Sequence, residues 1–325
     1  MHRFKDNKCL WLLPVILLAA FSSFVFTQFD SGSSEPPASA GAGGKRVKPE
    51  SAVTESRATG KSSVVAVFEL EPDSRLGVVL GSRSQHETVP ARIAALYALG
   101  ALSEVELRRI YDFLEAKRPG CGLEPAETLW LKNDLMTYLR YRDPSGERHT
   151  ARLVGLFRGR ENGEAIRDYA LQHLASLGSL GRNSDAVNEV LLEALDEKKN
   201  SFAGTALLGI NRIREAEYPT LSAEALGPLA LQIARDSEYS IASRLSALQV
   251  ASRSQADAAT EYALALLGES QSPPMMLLSA IGHLKHSDLA PPEAFRALCR
   301  HRDPRVRRAA SLALAQSLNN KPHQP

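Results

Sequence analysis

Few side chains in this sequence are spaced for chemistry. His283 and His286 stand three residues apart, with Asp288 and His301 nearby in the chain. Two histidines at that spacing can share a metal ion. No third ligand is implied at a suitable distance, however, and no acid stands ready as a general base. Ordinary surface histidines near a helix C-terminus, where partial negative charge favours a cation, are the better reading. The three cysteines, Cys9, Cys121 and Cys299, occupy no CxxC or Cys/His ligand spacing, which argues against structural zinc. A Cys121–Cys299 disulfide would need the fold to bring together residues far apart in the chain. No nucleophile elbow, HExxH pair, phosphate-binding loop or GxGxxG occurs in a usable context. The expectation is a chain with no catalytic residue, no cofactor and no metal ligand.

What remains is charge and one aromatic. Arg300, Arg302, Arg305, Arg307 and Arg308 form the densest cationic cluster, with Asp303 the acid inside it. Arg305 and Arg308, with Arg300 or Arg302, are expected to form an anion-binding edge for an acidic protein partner; the alternative is a solvated terminal face. Overall charge is +2, from 39 basic and 37 acidic residues, and gives no global reason to expect nucleic acid. Trp130 lies in the helical stretch Leu129–Leu139 and is expected in the core rather than as a platform for a ligand.

The elements that must carry these residues begin with location. Residues 10–29 contain no charge and are long enough as a helix to cross a bilayer. Arg3, Lys5 and Lys8 precede them, and the next basic residue is Lys45. The bias in basic residues leaves residues 1–9 in the cytoplasm and the rest outside. Residues 10–29 then form either an uncleaved inner-membrane anchor, which is the expectation, or a signal peptide cut near Ser22. Residues 30–62 are rich in Ser, Gly, Ala and Pro and cannot bury enough surface to order themselves. They read as a flexible linker. Residues 63–88 form an N-terminal cap, either a hairpin of 64–70 against 76–80 or, for the second segment, a short first helix. Residues 320–325 are a tail.

Residues 89–319 show a helical period. Hydrophobic residues make up 44% of the chain and aromatics 6%, so Ala and Leu must build the core, which favours close-packed helices. Seven apolar helices align on Ala95, Leu135, Ala170, Ala206, Ala247, Ala280 and Ala310, at intervals of 40, 35, 36, 41, 33 and 30 residues. One residue later come Leu96, Met136, Leu171, Leu207, Leu248, Ile281 and Ser311. Four residues later come Leu99, Leu139, Leu174, Ile210, Ala251, Leu284 and Leu314. Those offsets make one stripe on a helix. Three residues before the aligned position stand Arg92, Lys132, Arg167, Arg244 and Arg307, with Ala203 and Leu277 as exceptions. A second, more polar helix fits most intervals, as at 103–117, 184–198, 222–235 and 257–269. Several open on a capping residue, such as the box Ser103-Glu-Val-Glu106.

Helix pairs at this spacing are the signature of an α-solenoid. The run Asp303-Pro-Arg-Val-Arg-Arg-Ala-Ala310, followed by Ala313-Leu314, resembles the inner helix of a HEAT repeat. Ala165–Ala170 and Ser243–Leu248 are weaker copies. The resemblance spans roughly Val89 to Leu318; the tetratricopeptide pattern is absent. It implies an all-α solenoid of about six to seven helix pairs that binds another protein by shape, with no chemistry of its own. It also implies a structural ladder of Arg92, Arg167, Arg244 and Arg307, the last pairing with an acid of a neighbouring repeat. Some HEAT-like proteins resemble chromophore lyases, which keeps an enzyme-associated role open, to be favoured by a polar cleft with shifted ionisation. A bare spacer is the third reading.

Overall fold

The computed structural model describes residues 70, 74–82, 88–117, 119–143, 145–182, 184–216, 221–285 and 290–319. All lie in one compact unit, Ser63–Pro325. Residues 10–29, the linker, the tail, His286 and Asp288 lie outside the described residues. Among the described residues no helix is long and apolar enough to cross a membrane, and the expected inner-membrane placement is withdrawn.

The described residues are all-helical, a helical-repeat-like arrangement of fourteen α-helices and one 3₁₀ turn. The N-terminal cap is resolved in favour of a helix. Residues Gly77–Leu80 form α1, a turn whose Leu76, Gly77, Val79 and Leu80 are all buried. Residues 64–69, the other half of the expected hairpin, lie outside the described residues.

Two rows of helices follow. The first row is α2 (Val89–Ala98), α4 (Pro125–Arg142), α6 (Glu164–Gly178), α8 (Phe202–Glu215), α10 (Ile241–Ser254), α12 (Pro274–Leu284) and α14 (Pro304–Asn319). Between them run α3 (Glu104–Glu115), α5 (Glu147–Arg158), α7 (Ser184–Ala194), α9 (Ala223–Arg235), α11 (Ala256–Gly268) and the short α13 (Pro292–Arg296), which continues into the 3₁₀ turn Ala297–Arg300. Each first-row helix packs against the next first-row helix, and each second-row helix packs against the first-row helix that follows it. Local chemistry sets the starts. Ser103 accepts from the Glu106 backbone while the Glu106 carboxylate reaches back to Ser103 N–H, and Thr88, Ser222 and Ser240 cap α2, α9 and α10. Prolines at the first helical turn preset α2, α4, α12 and α13.

The aligned stripe is the core of the first row. Leu135, Ala170, Ala206, Ala247, Ala280 and Ala310 are fully buried, and Ala95 is half-buried against them. The positions one and four residues later are buried too, except at the two ends of the series, where Leu99 and Leu314 are half-buried and Ser311 is exposed. Small residues are needed because neighbouring backbones approach closely. At Gly204 the backbone N–H donates to Ser243 Oγ at 3.1 Å, and a Cβ there would sit 2.8 Å from Ser243 Cα. A Leu at Ala247 or Ala310 should therefore overpack the row and cost about 1–3 kcal/mol. The urea midpoint of each variant reads this directly, and no change in either would refute the register.

Candidate functional site

The basic column has a specific job in the geometry. Helix C-termini leave carbonyls without partners and carry partial negative charge. Arg92 in α2 donates to Val79 O at 3.1 Å and Gly81 O at 3.2 Å, the end of α1. Lys132 in α4 donates to Leu114 O at 2.9 Å and Ala116 O at 2.6 Å, the end of α3. Arg167 in α6 donates to Phe157 O at 2.7 Å, the end of α5. Arg244 in α10 donates to Ala234 O at 3.0 Å, the end of α9. Arg307 in α14 donates to His301 O at 2.9 Å and Arg302 O at 3.0 Å, just past the 3₁₀ turn. Each cation of the column thus caps the end of the preceding element. Where α8 carries Ala203 instead, the Tyr239 hydroxyl caps Leu195 O at 3.0 Å.

That placement corrects the reading of Arg307. It donates to backbone carbonyls rather than to an acid of a neighbouring repeat; of the ladder, Arg167 has the interhelix acid, Glu197 at 3.0 Å. It also explains how cations tolerate the positive end of their own helix: they face the negative end of another.

Of the expected anion-binding edge, Arg300, Arg302, Arg305 and Arg308 are all exposed. Arg305 turns back on Asp303, Nη2 to Oδ2 at 2.9 Å and Nε to Oδ1 at 3.3 Å, and this bond holds the Asp303 carboxyl down to about 2. Arg305 is therefore engaged within its own turn. His283 Nε2 lies 3.0 Å from Thr260 Oγ1, and His301 Nδ1 accepts the Asp303 backbone N–H at 3.0 Å. Cys121 and Cys299 are free thiols.

The feature not anticipated is the other side of the first row. Trp130 is 50% exposed, not core. Its neighbours on that helical side, Asp134, Thr137 and Tyr141, stand at steps of four, three and four residues, one stripe along α4. Counted from the aligned position, Asp134 stands one before and Tyr141 six after. The same side of α2 carries Tyr97, 49% exposed, and Tyr141 is 62% exposed. On α6 it carries Tyr169 in the register of Asp134, half-buried. Tyr97 packs edge-on to Tyr138, with ring centroids 5.3 Å apart. The indole N–H of Trp130 donates to Asp134, yet burial dominates and pushes that carboxyl up to about 6. Burial, and then the Asp134 charge, push the Tyr97 phenol up. Burial, Asp168 and Asp134 do the same to Tyr169.

The cations near this patch have other partners. Arg140 donates to the Tyr141 hydroxyl at 3.3 Å and lies over that ring at 5.0 Å. Arg142 lies over the Tyr138 ring at 4.9 Å, and Arg212 donates to Ser176 Oγ at 3.3 Å. Farther along, α9 and α11 border two open grooves of about 690 and 400 Å3 that share Arg235 and Glu261. Asp134, Lys132, His149 and His173, whose ionisation burial displaces, line neither. Among the described residues no group of three or more His, Cys, Asp or Glu is placed to hold a metal ion.

No family model matches the chain, and no curated protein matches it. Among solved structures the chain is similar to that of human deoxyhypusine hydroxylase in complex with glycerol, at 16% identity, over 76% of this chain and 96% of that one, with a TM-score of 0.33. The expectation of a body without enzymatic chemistry is not carried further. A likeness at this level carries no argument about a reaction in this chain.

Proposed function

We propose that residues 89–319 are a HEAT-like helical-repeat module that binds another protein on the solvent-facing side of α2, α4 and α6. The observation that supports this is the trio Tyr97, Trp130 and Tyr141, each about half exposed or more on one side of successive first-row helices. In a chain whose aromatics are 6% of residues, these rings stand together where they contribute little to the core. Tyr and Trp are the side chains that carry binding energy at protein interfaces, since they bury large area with little lost rotamer freedom. The HEAT-like assignment draws on the Asp303–Ala310 run, which opens α14 at Pro304, and on the serial packing of the first row.

The test is site-specific photo-crosslinking in cells that produce the full chain. A benzophenone side chain at Tyr97 or Tyr141 should give discrete adducts with another protein. The same group at Leu192, an exposed position on second-row helix α7, should give none. Adducts from Leu192 alone, or from no position, reject the surface.

A further inference from the structure

The rings share their side of the first row with a carboxylate whose charge reaches Tyr97 and Tyr169. We infer that Asp134, set among Tyr97, Trp130 and Tyr169 from three successive first-row helices, is the subsite for an organic cation on the protein partner: a lysine ammonium or an arginine guanidinium. This deepens the proposed function and rests on it.

Three observations converge. First, Asp134 is half-buried, and among the described residues no cation lies within ion-pair distance of it. Its one polar partner is the Trp130 indole N–H. A carboxylate partly removed from water with a single neutral donor is under-satisfied, and an approaching cation supplies what it lacks. Second, the arginines of the patch do not fill that role. Arg140, Arg142 and Arg212 are held on Tyr141, Tyr138 and Ser176. Third, the walls are aromatic. Faces of Trp and Tyr attract ammonium and guanidinium groups through the ring quadrupole, most strongly where water is excluded. A neutral or anionic ligand would gain from the rings but not from the acid. The other acid beside Tyr169, Asp168, is occupied by Thr205 at 2.7 Å, Ser201 at 3.2 Å and Gln172 at 2.8 Å, so Asp134 is the acid left to receive the charge.

The full chain contains two tryptophans, Trp11 and Trp130. A Trp11→Phe background therefore makes Trp130 the sole indole, and its ¹⁵N–¹H resonance reports the site. Three probes are titrated at pH 7.5: a decapeptide of alternating Lys and Gly, its counterpart with Gln for Lys, and free lysine amide. The lysine peptide should shift the indole resonance saturably and the glutamine peptide should not. Asp134→Asn should weaken the lysine peptide at least tenfold without lowering the thermal midpoint, and Tyr97→Leu should weaken it several-fold. Equal affinity in Asp134→Asn, or equal binding of the glutamine peptide, overturns the cation site. Free lysine amide binding as tightly as the peptide overturns the peptide-borne occupant in favour of a small free cation. Crosslinks from Tyr97 or Tyr141 with no response to the lysine peptide overturn the subsite while leaving the protein-binding surface intact.

Discussion

Acidification from pH 6.5 to pH 4 should remove about 3 kcal/mol of stability through His149 alone, with His173 adding a loss of the same sign. Both histidines are buried. His149, in α5, has Nδ1 3.4 Å from the Tyr111 hydroxyl, and burial pushes it down to about 4. His173, in α6, has Nε2 3.1 Å from Asn133 Oδ1. Burial, reinforced by Arg140 and His149, holds it well below the ordinary histidine range. Each ring is therefore neutral in the fold but takes a proton near pH 6.5 once the chain unfolds. Their contribution is fully present above pH 6.5 and falls as pH drops toward the folded-state value, about 1.4 kcal/mol per unit. Asp134 acts oppositely between pH 6 and pH 4, because its raised carboxyl favours the protonated fold. It is partly open to solvent, so its contribution is screened below that of either histidine. Urea unfolding followed by circular dichroism at pH 7, 6, 5 and 4 gives the slope. The double variant His149→Leu with His173→Leu should flatten that slope, whatever its stability at pH 7. A wild-type stability independent of pH over this range, or an unaltered slope in the double variant, would assign acid sensitivity elsewhere.

The register of the repeat was legible because one stripe of each first-row helix is buried along nearly the whole series. The aligned position and the residues one and four later lie on a single stripe, and only the ends of the series, Leu99, Ser311 and Leu314, depart from it. The same arithmetic could have exposed the aromatic patch. Trp130 stands five residues before the aligned Leu135, hence on the side of Asp134 and Tyr141 and away from the core. Its place in the helical stretch Leu129–Leu139 pointed to the core; position on the stripe is the stronger signal. The basic column was visible, but its purpose was not. An arginine caps carbonyls of another helix through tertiary contact, and no spacing within one helix encodes which element ends beside it. The two buried histidines gave no signal at all, since a single polar residue inside a helix is buried or exposed according to its neighbours in space.

The ladder itself should grade stability by burial. Arg92 and Arg244 are nearly inaccessible. Arg92 bonds two carbonyls, while Arg244 bonds Ala234 O and its Nη2 lies 3.5 Å from the Tyr262 hydroxyl. Hydrogen bonds from a charged donor typically contribute about 1.5–3 kcal/mol, and truncation leaves carbonyls in a site water reaches poorly. The packed side-chain stem is lost as well. Arg92→Ala or Arg244→Ala should therefore destabilise by about 3 kcal/mol, within the range for breaking a buried polar contact. Arg244→Ala should be the milder of the two, because the Tyr262 hydroxyl also caps Ala234 O at 2.7 Å. Lys132 differs in kind. Burial lowers its ammonium to about 8, so its protonated form is disfavoured in the fold. Stability should accordingly rise as pH climbs from 8 toward the unfolded lysine value near 10.5, and Lys132→Met should abolish that rise. At the exposed end, Arg307 makes the same kind of bonds in water, and Arg307→Ala should cost about 1 kcal/mol or less. Guanidinium chloride midpoints for the four variants, read at pH 7 and pH 9, contain the whole argument. If Arg307→Ala destabilises as much as Arg92→Ala, the column holds the repeats together by something other than capping buried helix ends.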